Sequence, residues 1–300
     1  MEAKNMNIEN PILYKSRMIF SIRRMLSDLR FVEIQTPVLR KYPGDRDRPR
    51  LFLEDGRSLR ESSAYALRVN LAITDRLYEI GPMFRPDIAS NRHLPEFTML
   101  DLYATDFDLA AAKNLALQIV STFYHGEVRT VSFADVVLAT FAIDLREDEQ
   151  GEQKLCRLLA QHYSMQDASV LRLLDRYITD HIEPLSKDCC LVVTDFSPAP
   201  EVRARLTPGL ACVSERFEIQ INGEEVVHGY VDEPNVNALS VRAASYDALG
   251  YEDRTIIELI RNGRVPSGSA GFGIGIERLA KACLGLPSLR DLMPSWEFAE

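Results

Sequence analysis

A polar turn between two apolar segments carries the strongest structural signal in this sequence: Phe84-Arg85-Pro86-Asp87, a short loop, and then Arg92-His93-Leu94-Pro95-Glu96-Phe97. An arginine and an acid lie at one end of a predicted hairpin, and a basic pair, an acid and an aromatic ring lie at the other. Cations hold phosphates, acids meet a base amino group or a metal, and a ring stacks on a base. The segment predicts half of a purine nucleotide site, although ordinary cross-strand ion pairs are the simpler alternative.

A second segment near the C-terminus has complementary properties: Gly271-Phe272-Gly273-Ile274-Gly275-Ile276-Glu277-Arg278. Alternating glycines remove the side chains from one face of a strand, so a flat ligand can lie against the backbone. Arg278 falls on the first turn of the following helix, within reach of a phosphate. The alternative is a close strand–helix crossing with a solvated arginine. The segment is neither the GxGxxG dinucleotide pattern nor a GxxxxGK phosphate loop.

Three acids follow one another around a predicted hairpin whose turn is Asn222-Gly223. Glu218 and Glu225 can face the same side of that hairpin, where two carboxylates beside a triphosphate bind Mg²⁺ well. Asp232, just past the strand, can meet a substrate ammonium. A solvated acidic face is the alternative, and His228 on its own is more typical of a packed or surface histidine.

The composition is that of a globular protein. The 300 residues are 46% hydrophobic and 26% charged, which suits one large domain or two ordinary ones. A net charge of −9 argues against a broad nucleic-acid-binding face but allows a nucleotide pocket lined by a few arginines. The five cysteines lack metal-site spacing, and neither a secretory signal nor a membrane-length apolar run is evident. We therefore expect a cytoplasmic protein with reduced thiols.

Helical periodicity at both ends, with hairpin-like strand pairs between them, predicts an α+β fold with an antiparallel sheet. The segment Phe31–Leu39 alternates like a strand, and Pro37 marks an edge or a bend in it. Residues 40–50 are predicted to form a mobile loop. We expect residues 1–300 to form a single catalytic domain with a helical insert at about 145–185.

Taken in their order along the chain, these segments resemble the signature motifs of class II aminoacyl-tRNA synthetases, and the resemblance covers nearly the whole chain. Residues 31–39 resemble motif 1, which builds the dimer interface in that family, residues 85–97 motif 2, and residues 271–278 motif 3. The closest subgroup is lysyl-tRNA synthetase together with its stand-alone paralogue, which attaches lysine or β-lysine to elongation factor P. Residues 93–100 and the segment Glu215–Tyr230 carry that closer resemblance.

The resemblance implies a sheet flanked by helices, with ATP bound in a bent form beside Mg²⁺. Arg85 would hold the α-phosphate and the amino acid carboxylate, and Asp87 takes the place of the usual glutamate near adenine. Arg92 and His93 would contact the outer phosphates, and Phe97 would stack on adenine.

The second half of the implied ATP site comes from the C-terminal motif and the acids. Arg278, beside Gly275, would take the other face of adenine and the γ-phosphate, and Glu218 and Glu225 would bind Mg²⁺. Arg85 and Arg278 are the implied catalytic pair, because charge neutralisation and positioning suffice for adenylate formation.

The implied amino acid pocket departs from the lysyl pattern. Ala64 replaces a substrate-facing glutamate, His228 stands where lysyl enzymes have asparagine, and Asp232 stands where they have glutamate. Gly273 matches lysyl-tRNA synthetases, whereas the elongation-factor ligase has a bulkier alanine there. The implied pocket residues are Ala64, Asp101, Tyr103, His228, Tyr230, Asp232 and Gly273. Because losing a carboxylate beside a buried ammonium is costly, the substrate is not simply α-lysine, or it sits differently.

The leading hypothesis is an ATP-dependent ligase, homodimeric and without an anticodon-binding domain. It would make an aminoacyl-adenylate and transfer the acyl group to a protein lysine, a carrier or a small amine. An amide ligase similar to asparagine synthetase A is one alternative, although the signature of aspartate-handling relatives is absent around Gly229. A non-catalytic regulatory paralogue is another, disfavoured because a mere binder does not need the whole metal and phosphate set.

Overall fold

The computed structural model describes residues 10–41 and 50–293. Its strands are β1 (Val32–Glu33), β2 (Leu39–Arg40), β3 (Ser58–Leu59), β4 (Arg76–Phe84), β5 (Glu96–Ala104), β6 (Glu127–Ser132), β7 (Cys189–Thr194), β8 (Arg216–Ile221), β9 (Glu224–Val231) and β10 (Ala270–Gly275). Its α-helices are α1 (Pro11–Asp28), α2 (Ala64–Asn70), α3 (Leu109–Phe123), α4 (Phe133–Phe141), α5 (Gly151–His162), α6 (Val170–Tyr177), α7 (Val236–Ser245), α8 (Tyr251–Arg261) and α9 (Ile276–Leu284).

Eight strands form one sheet in the order β1-β4-β5-β10-β9-β8-β7-β6. The pairs from β4 through to β7 are antiparallel, whereas the outermost pairs, β1 with β4 and β6 with β7, are parallel. The predicted hairpin is present, with Phe84 opposite Glu96 at its loop end and Arg76 opposite Ala104 at its open end. The predicted α+β class with a largely antiparallel, helix-flanked sheet is confirmed.

The alternation of side chains along the central strands separates a core face from a polar face. On β5, Leu100 and Leu102 enter the main core with residues of α1, α3 and α9, while Asp101 and Tyr103 point to the opposite face. Nearer the other end of the sheet, β7 is covered on both sides, since α4, α5 and α6 pack on its second face. The polar face of the central strands is therefore where a cavity can form.

The segment Phe31–Leu39 is not the continuous strand that its alternation predicts. It pairs with β4 only at Val32–Glu33, and β2 belongs to a separate two-stranded sheet with β3. Between them, the Thr36 amide donates to the Glu79 carboxylate (3.1 Å) rather than to a neighbouring strand, and Pro37 has no amide hydrogen to donate. The strand prediction is wrong at its centre for these reasons.

Local capping defines several helix starts. The Asp108 side chain accepts from the Ala111 amide (2.8 Å) at the start of α3, and Asn10 caps α1 next to a proline in its first turn. Helices α5 and α6 fall within residues 145–185, where the sequence predicts a helical insert. That residues 1–300 form a single domain stays a prediction. Residues 42–49 of the predicted loop lie outside the described residues. No helix of the described part of the chain is long and apolar enough to cross a membrane.

Candidate functional site

The polar face of the sheet carries two adjoining cavities of about 560 Å³ and 70 Å³. Both are lined by the β4–β5 hairpin, by β9 and by the first turn of α9. The residues that line both include Arg85, Asp87, His93, Glu225 and Arg278. The two segments of the predicted nucleotide site, far apart along the chain, meet here.

The glycines of β10 allow β5 to pack closely against the strand, whereas the sequence predicts a backbone surface open to a ligand. A Cβ on Gly271 would lie 2.3 Å from the Leu102 carbonyl oxygen, and one on Gly273 would lie 2.2 Å from Met99 Cε. Asp101 Oδ1 would lie 2.8 Å from the same added atom on Gly273. The face beside these glycines is therefore filled partly by side chains of β5, although Gly273 still lines both cavities.

The hairpin places its arginine against its own aromatic ring. The Arg85 guanidinium carbon lies 5.0 Å from the centre of the Phe97 ring, and the Arg85 amide donates to the Pro95 carbonyl (2.9 Å) across the hairpin. Such a cation–π contact favours the charged guanidinium while leaving it at the cavity wall. Phe97 and Gly275 both line the smaller cavity.

Arg92 ties the hairpin loop to the β8–β9 turn. Its Nη2 donates to Glu183 Oε2 (2.9 Å) and to the Gly223 carbonyl (2.5 Å), and its side chain is 47% exposed. His93, the next residue, is also exposed and lines both cavities. Partial desolvation lowers the pKa of His93, and the positive charge of Arg278 lowers it further, so a neutral imidazole faces the cavity at neutral pH.

Arg278 is oriented by the acid strand. Its Nη1 donates to the Glu225 carbonyl (2.8 Å), which fixes the guanidinium beside β9. The neighbouring Glu277 is buried and accepts from the Thr98 amide (2.9 Å) and from Lys15 Nζ (3.0 Å). The first turn of α9 is thereby attached to both β5 and α1.

A bulge in β9 assembles the acidic group. Ile219 pairs with Val227 but Gln220 pairs with Glu225, so Val226 is an extra residue, and Glu218 consequently lies opposite His228. Glu218, Glu225 and His228 each offer a ligand atom, and these atoms lie within 4.8 Å of one another. The structure thus brings together the two predicted metal carboxylates and adds a histidine that the sequence placed in the substrate pocket.

The pKa values of Glu218 and Glu225 are shifted in opposite directions. Burial raises the pKa of Glu218 to about 7, and the negative charge of Glu225 contributes. Burial also opposes ionisation of Glu225, but the positive charges of His228 and Arg278 outweigh it and lower the pKa of Glu225. Glu218 also contacts Arg216 and accepts from Gln220 Nε2 (2.8 Å). A divalent cation fits this group, because its charge would favour the ionised form of both acids.

The far end of the larger cavity has the character of a side-chain pocket. Asp101 Oδ2 accepts from the Ser63 amide (2.8 Å) and from the hydroxyls of Ser63 (2.7 Å) and Ser62 (3.2 Å). The hydroxyls of Tyr103 and Tyr230 are hydrogen-bonded at 3.1 Å. Six of the seven implied pocket residues line this cavity: Ala64, Asp101, Tyr103, His228, Tyr230 and Gly273.

Asp232 lies in a different environment from the other acids. Of the three cavities described, it lines the smallest, of about 40 Å³, and its carboxylate contacts the buried Arg68 guanidinium and the Ser269 hydroxyl. Ala64 reaches both this cavity and the larger one. The acid expected to meet a substrate ammonium is already paired within the protein.

Three side chains of this region carry no signal in the sequence. Arg68 is the partner of Asp232, and Arg203 Nε donates to Asp253 Oδ1 (2.6 Å) on α8. Glu201 lies in the larger cavity, with Oε2 3.7 Å from His228 Nε2. These residues come from loops or from separate helices, and no spacing along the chain links them to their partners.

These features are those of a class II aminoacyl-tRNA synthetase core, and comparison with known proteins agrees. Residues 1–294 match the family described as tRNA synthetases class II (D, K and N), so the chain belongs to that family. The resemblance inferred from the three motifs is confirmed.

Within the family, the chain is similar to lysine–tRNA ligases. It is 28% identical to that of Thermosynechococcus vestitus over 91% of this chain, 25% identical to that of Bacillus subtilis over 96%, and 29% identical to that of Synechococcus sp. CC9605 over 93%. These matches cover 60%, 64% and 62% of the relatives' own lengths. The chain therefore has a lysyl-tRNA synthetase-like core and spans less than two thirds of the curated relatives it matches.

Proposed function

We propose that this chain is an ATP-dependent ligase that activates an amino acid as its adenylate and passes the acyl group to an acceptor not read through an anticodon. A protein lysine, a carrier or a small amine is such an acceptor. The observation that supports activation most directly is the meeting of Arg85, Arg278 and Glu225 in one cavity, next to Asp101 and Tyr103.

The proposed chemistry needs no protein nucleophile. A carboxylate oxygen of the amino acid attacks the α-phosphorus of ATP in line, and the bond from that phosphorus to the bridging oxygen of pyrophosphate breaks. Arg85 and Arg278 offset the negative charge of the reacting phosphates, while Phe97 stacks on adenine. A magnesium ion held by Glu218 and Glu225 would supply further charge neutralisation. An acceptor amine then attacks the acyl carbon, and AMP leaves.

The identity of the amino acid is proposed from the altered pocket. Ala64 offers no carboxylate, and Asp232 is already paired with Arg68, so neither of these two positions supplies the ion partner that a buried lysine ammonium requires. We therefore propose a substrate other than α-lysine in the usual pose. The net charge of −9 supports an acceptor other than a large RNA.

The same proposal includes a cytoplasmic homodimer. Leu13 and Phe20 on α1 and Val32 on β1 are 57%, 67% and 48% exposed, so the elements around the motif at residues 31–39 carry apolar side chains that a partner could cover. Sedimentation of the wild type and of Phe20→Asp tests this, with a dimer expected for the wild type and a monomer for the variant. A monomeric wild type at micromolar concentration would overturn it.

The deciding experiment is ATP–pyrophosphate exchange across a panel of α-, β- and diamino acids with Mg²⁺. Exchange with at least one amino acid is expected, and mass spectrometry of candidate acceptors then identifies the product. ATP binding without exchange would favour the regulatory paralogue. Ammonia-dependent AMP formation with aspartate would favour the amide ligase.

A further inference from the structure

We propose that His228 is a third ligand of the metal site and that the site prefers a first-row transition dication over Mg²⁺. The proposal deepens the proposed function, since it concerns the same cavity, but it rests on the metal-binding geometry alone. Three donors from one hairpin carry it: Glu218, Glu225 and His228.

The distances suit a shared ion. Donors that bind one ion at about 2.1 Å lie no more than about 4.2 Å apart, twice the bond length. His228 Nδ1 lies 3.9 Å from Glu218 Oε1, and all three donor atoms lie within 4.8 Å. The histidine and Glu218 therefore already lie at a separation that one ion can bridge, and Glu225 lies beside them.

The other nitrogen of His228 has the surroundings of a ligating imidazole. Nε2 is enclosed and makes no hydrogen bond within the described part of the chain, and Glu201 Oε2 lies 3.7 Å from it. A ligating histidine usually donates its second ring N–H to a carboxylate, which fixes the ring and raises its basicity. Glu201 is 5% exposed, so its carboxylate is a persistent part of these surroundings.

The charge of the site also weighs against Mg²⁺ as the preferred ion. Glu218 contacts the buried Arg216 guanidinium, which offsets part of the negative charge that a hard cation depends on. An imidazole nitrogen contributes little to Mg²⁺ binding but suits later first-row ions, whose affinity for nitrogen donors rises along the series. Mn²⁺ and Co²⁺ should therefore bind more tightly than Mg²⁺.

Metal binding to untagged protein, without ATP or amino acid, tests the proposal. Co²⁺ is titrated by its visible absorption, Mn²⁺ by electron paramagnetic resonance, and Mg²⁺ is added as the competitor. His228→Asn replaces the nitrogen donor with an oxygen donor, and His125→Asn, an exposed histidine outside the cavities, is the matched control.

We expect wild-type protein and His125→Asn to bind Co²⁺ alike, and His228→Asn to bind it at least about tenfold more weakly, with Mg²⁺ affinity nearly unchanged. The electron spin echo of bound Mn²⁺ should show ¹⁴N modulation in the wild type that His228→Asn lacks. Equal Co²⁺ affinity in all three proteins, or no nitrogen modulation in the wild type, would overturn the proposal. Amino acid activation with Mg²⁺ would survive that result, whereas a bound nitrogen-ligated ion without any exchange would sink only the proposed function.

Discussion

The Arg68 guanidinium and the Asp232 carboxylate form a buried ion pair at the end of the cavity system that Ala64 also lines. Arg68 is 5% exposed and Asp232 is 4% exposed, and the Ser269 hydroxyl contacts both partners. A pocket that needs a free carboxylate for an ammonium does not obtain it from Asp232, because that charge is already compensated.

Ala64→Glu should therefore raise lysine-dependent pyrophosphate exchange about tenfold or more, since a hydrogen bond to a charged group contributes about 1.5–3 kcal/mol. The position is the first residue of α2, where an acid also suits the helix dipole. Ala64→Gln matches the size without the charge and should not raise exchange. Equal exchange in the two variants would contradict the interpretation that the pocket lacks a carboxylate for the lysine ammonium.

Removing one partner of the Arg68–Asp232 pair should be strongly destabilising. Arg68→Met leaves the Asp232 carboxylate buried and uncompensated, and we expect a loss of about 3–5 kcal/mol in the free energy of unfolding. Urea denaturation measures it. Arg176→Met, which breaks the more exposed pair with Asp180 on one helix turn, is the control, with an expected loss of about 0.5 kcal/mol.

The two glycines of β10 should respond differently to alanine. Gly271→Ala directs its new methyl at the Leu102 carbonyl oxygen, which cannot move without the strand, so we expect a loss of about 3 kcal/mol in stability. Gly273→Ala meets two side chains instead, the flexible end of Met99 and the Asp101 carboxylate, with an expected loss below about 1.5 kcal/mol. Thermal unfolding of both variants checks the order, and an equal loss would count against the packing described for β10.

Arg278→Ala and Glu225→Gln should each lower pyrophosphate exchange at least about a hundredfold, because each removes a preorganised charge from the proposed reacting centre. Circular dichroism should show an unchanged fold in both. Full exchange in either variant would remove that residue from the proposed machinery.

His93 should titrate below its ordinary pKa of 6.5. Partial desolvation and the charge of Arg278 disfavour the imidazolium of His93, so its contribution to stability is present above pH 6.5 and lost as the pH falls through the lowered pKa. Nuclear magnetic resonance of the ring protons measures the titration, and Arg278→Ala should move it upward. An unmoved titration in that variant would exclude Arg278 as a cause.

The strands that build the site could be predicted, because each is long enough to show its period. Alternating polarity and turn residues indicate the hairpin from Arg76 to Ala104 and the turn at Asn222-Gly223. The Phe31–Leu39 segment was misleading, since Thr36 and Pro37 alternate in polarity as a strand does. The Thr36 amide, however, donates to the Glu79 side chain, and Pro37 has no amide hydrogen.

The chemistry of the pocket could be predicted only in part. The arginines and acids lie in motifs, but the pairing of Arg68 with Asp232 joins residues from α2 and from the end of β9, and nothing in either segment indicates the other. The position of Glu201 beside His228 depends in the same way on a loop that follows a different strand. Such contacts depend on tertiary packing, which local patterns do not encode.

The extra residue in β9 has a consequence for how ligand sets are recognised in sequences. A Glu-x-x-His spacing, as in Glu225 and His228, normally indicates a helix, where residues three apart share one side. In a regular strand the same two side chains would point in opposite directions. Here Val226 and Val227 both turn into the core, and a sheet acquires a donor spacing that is characteristic of helices.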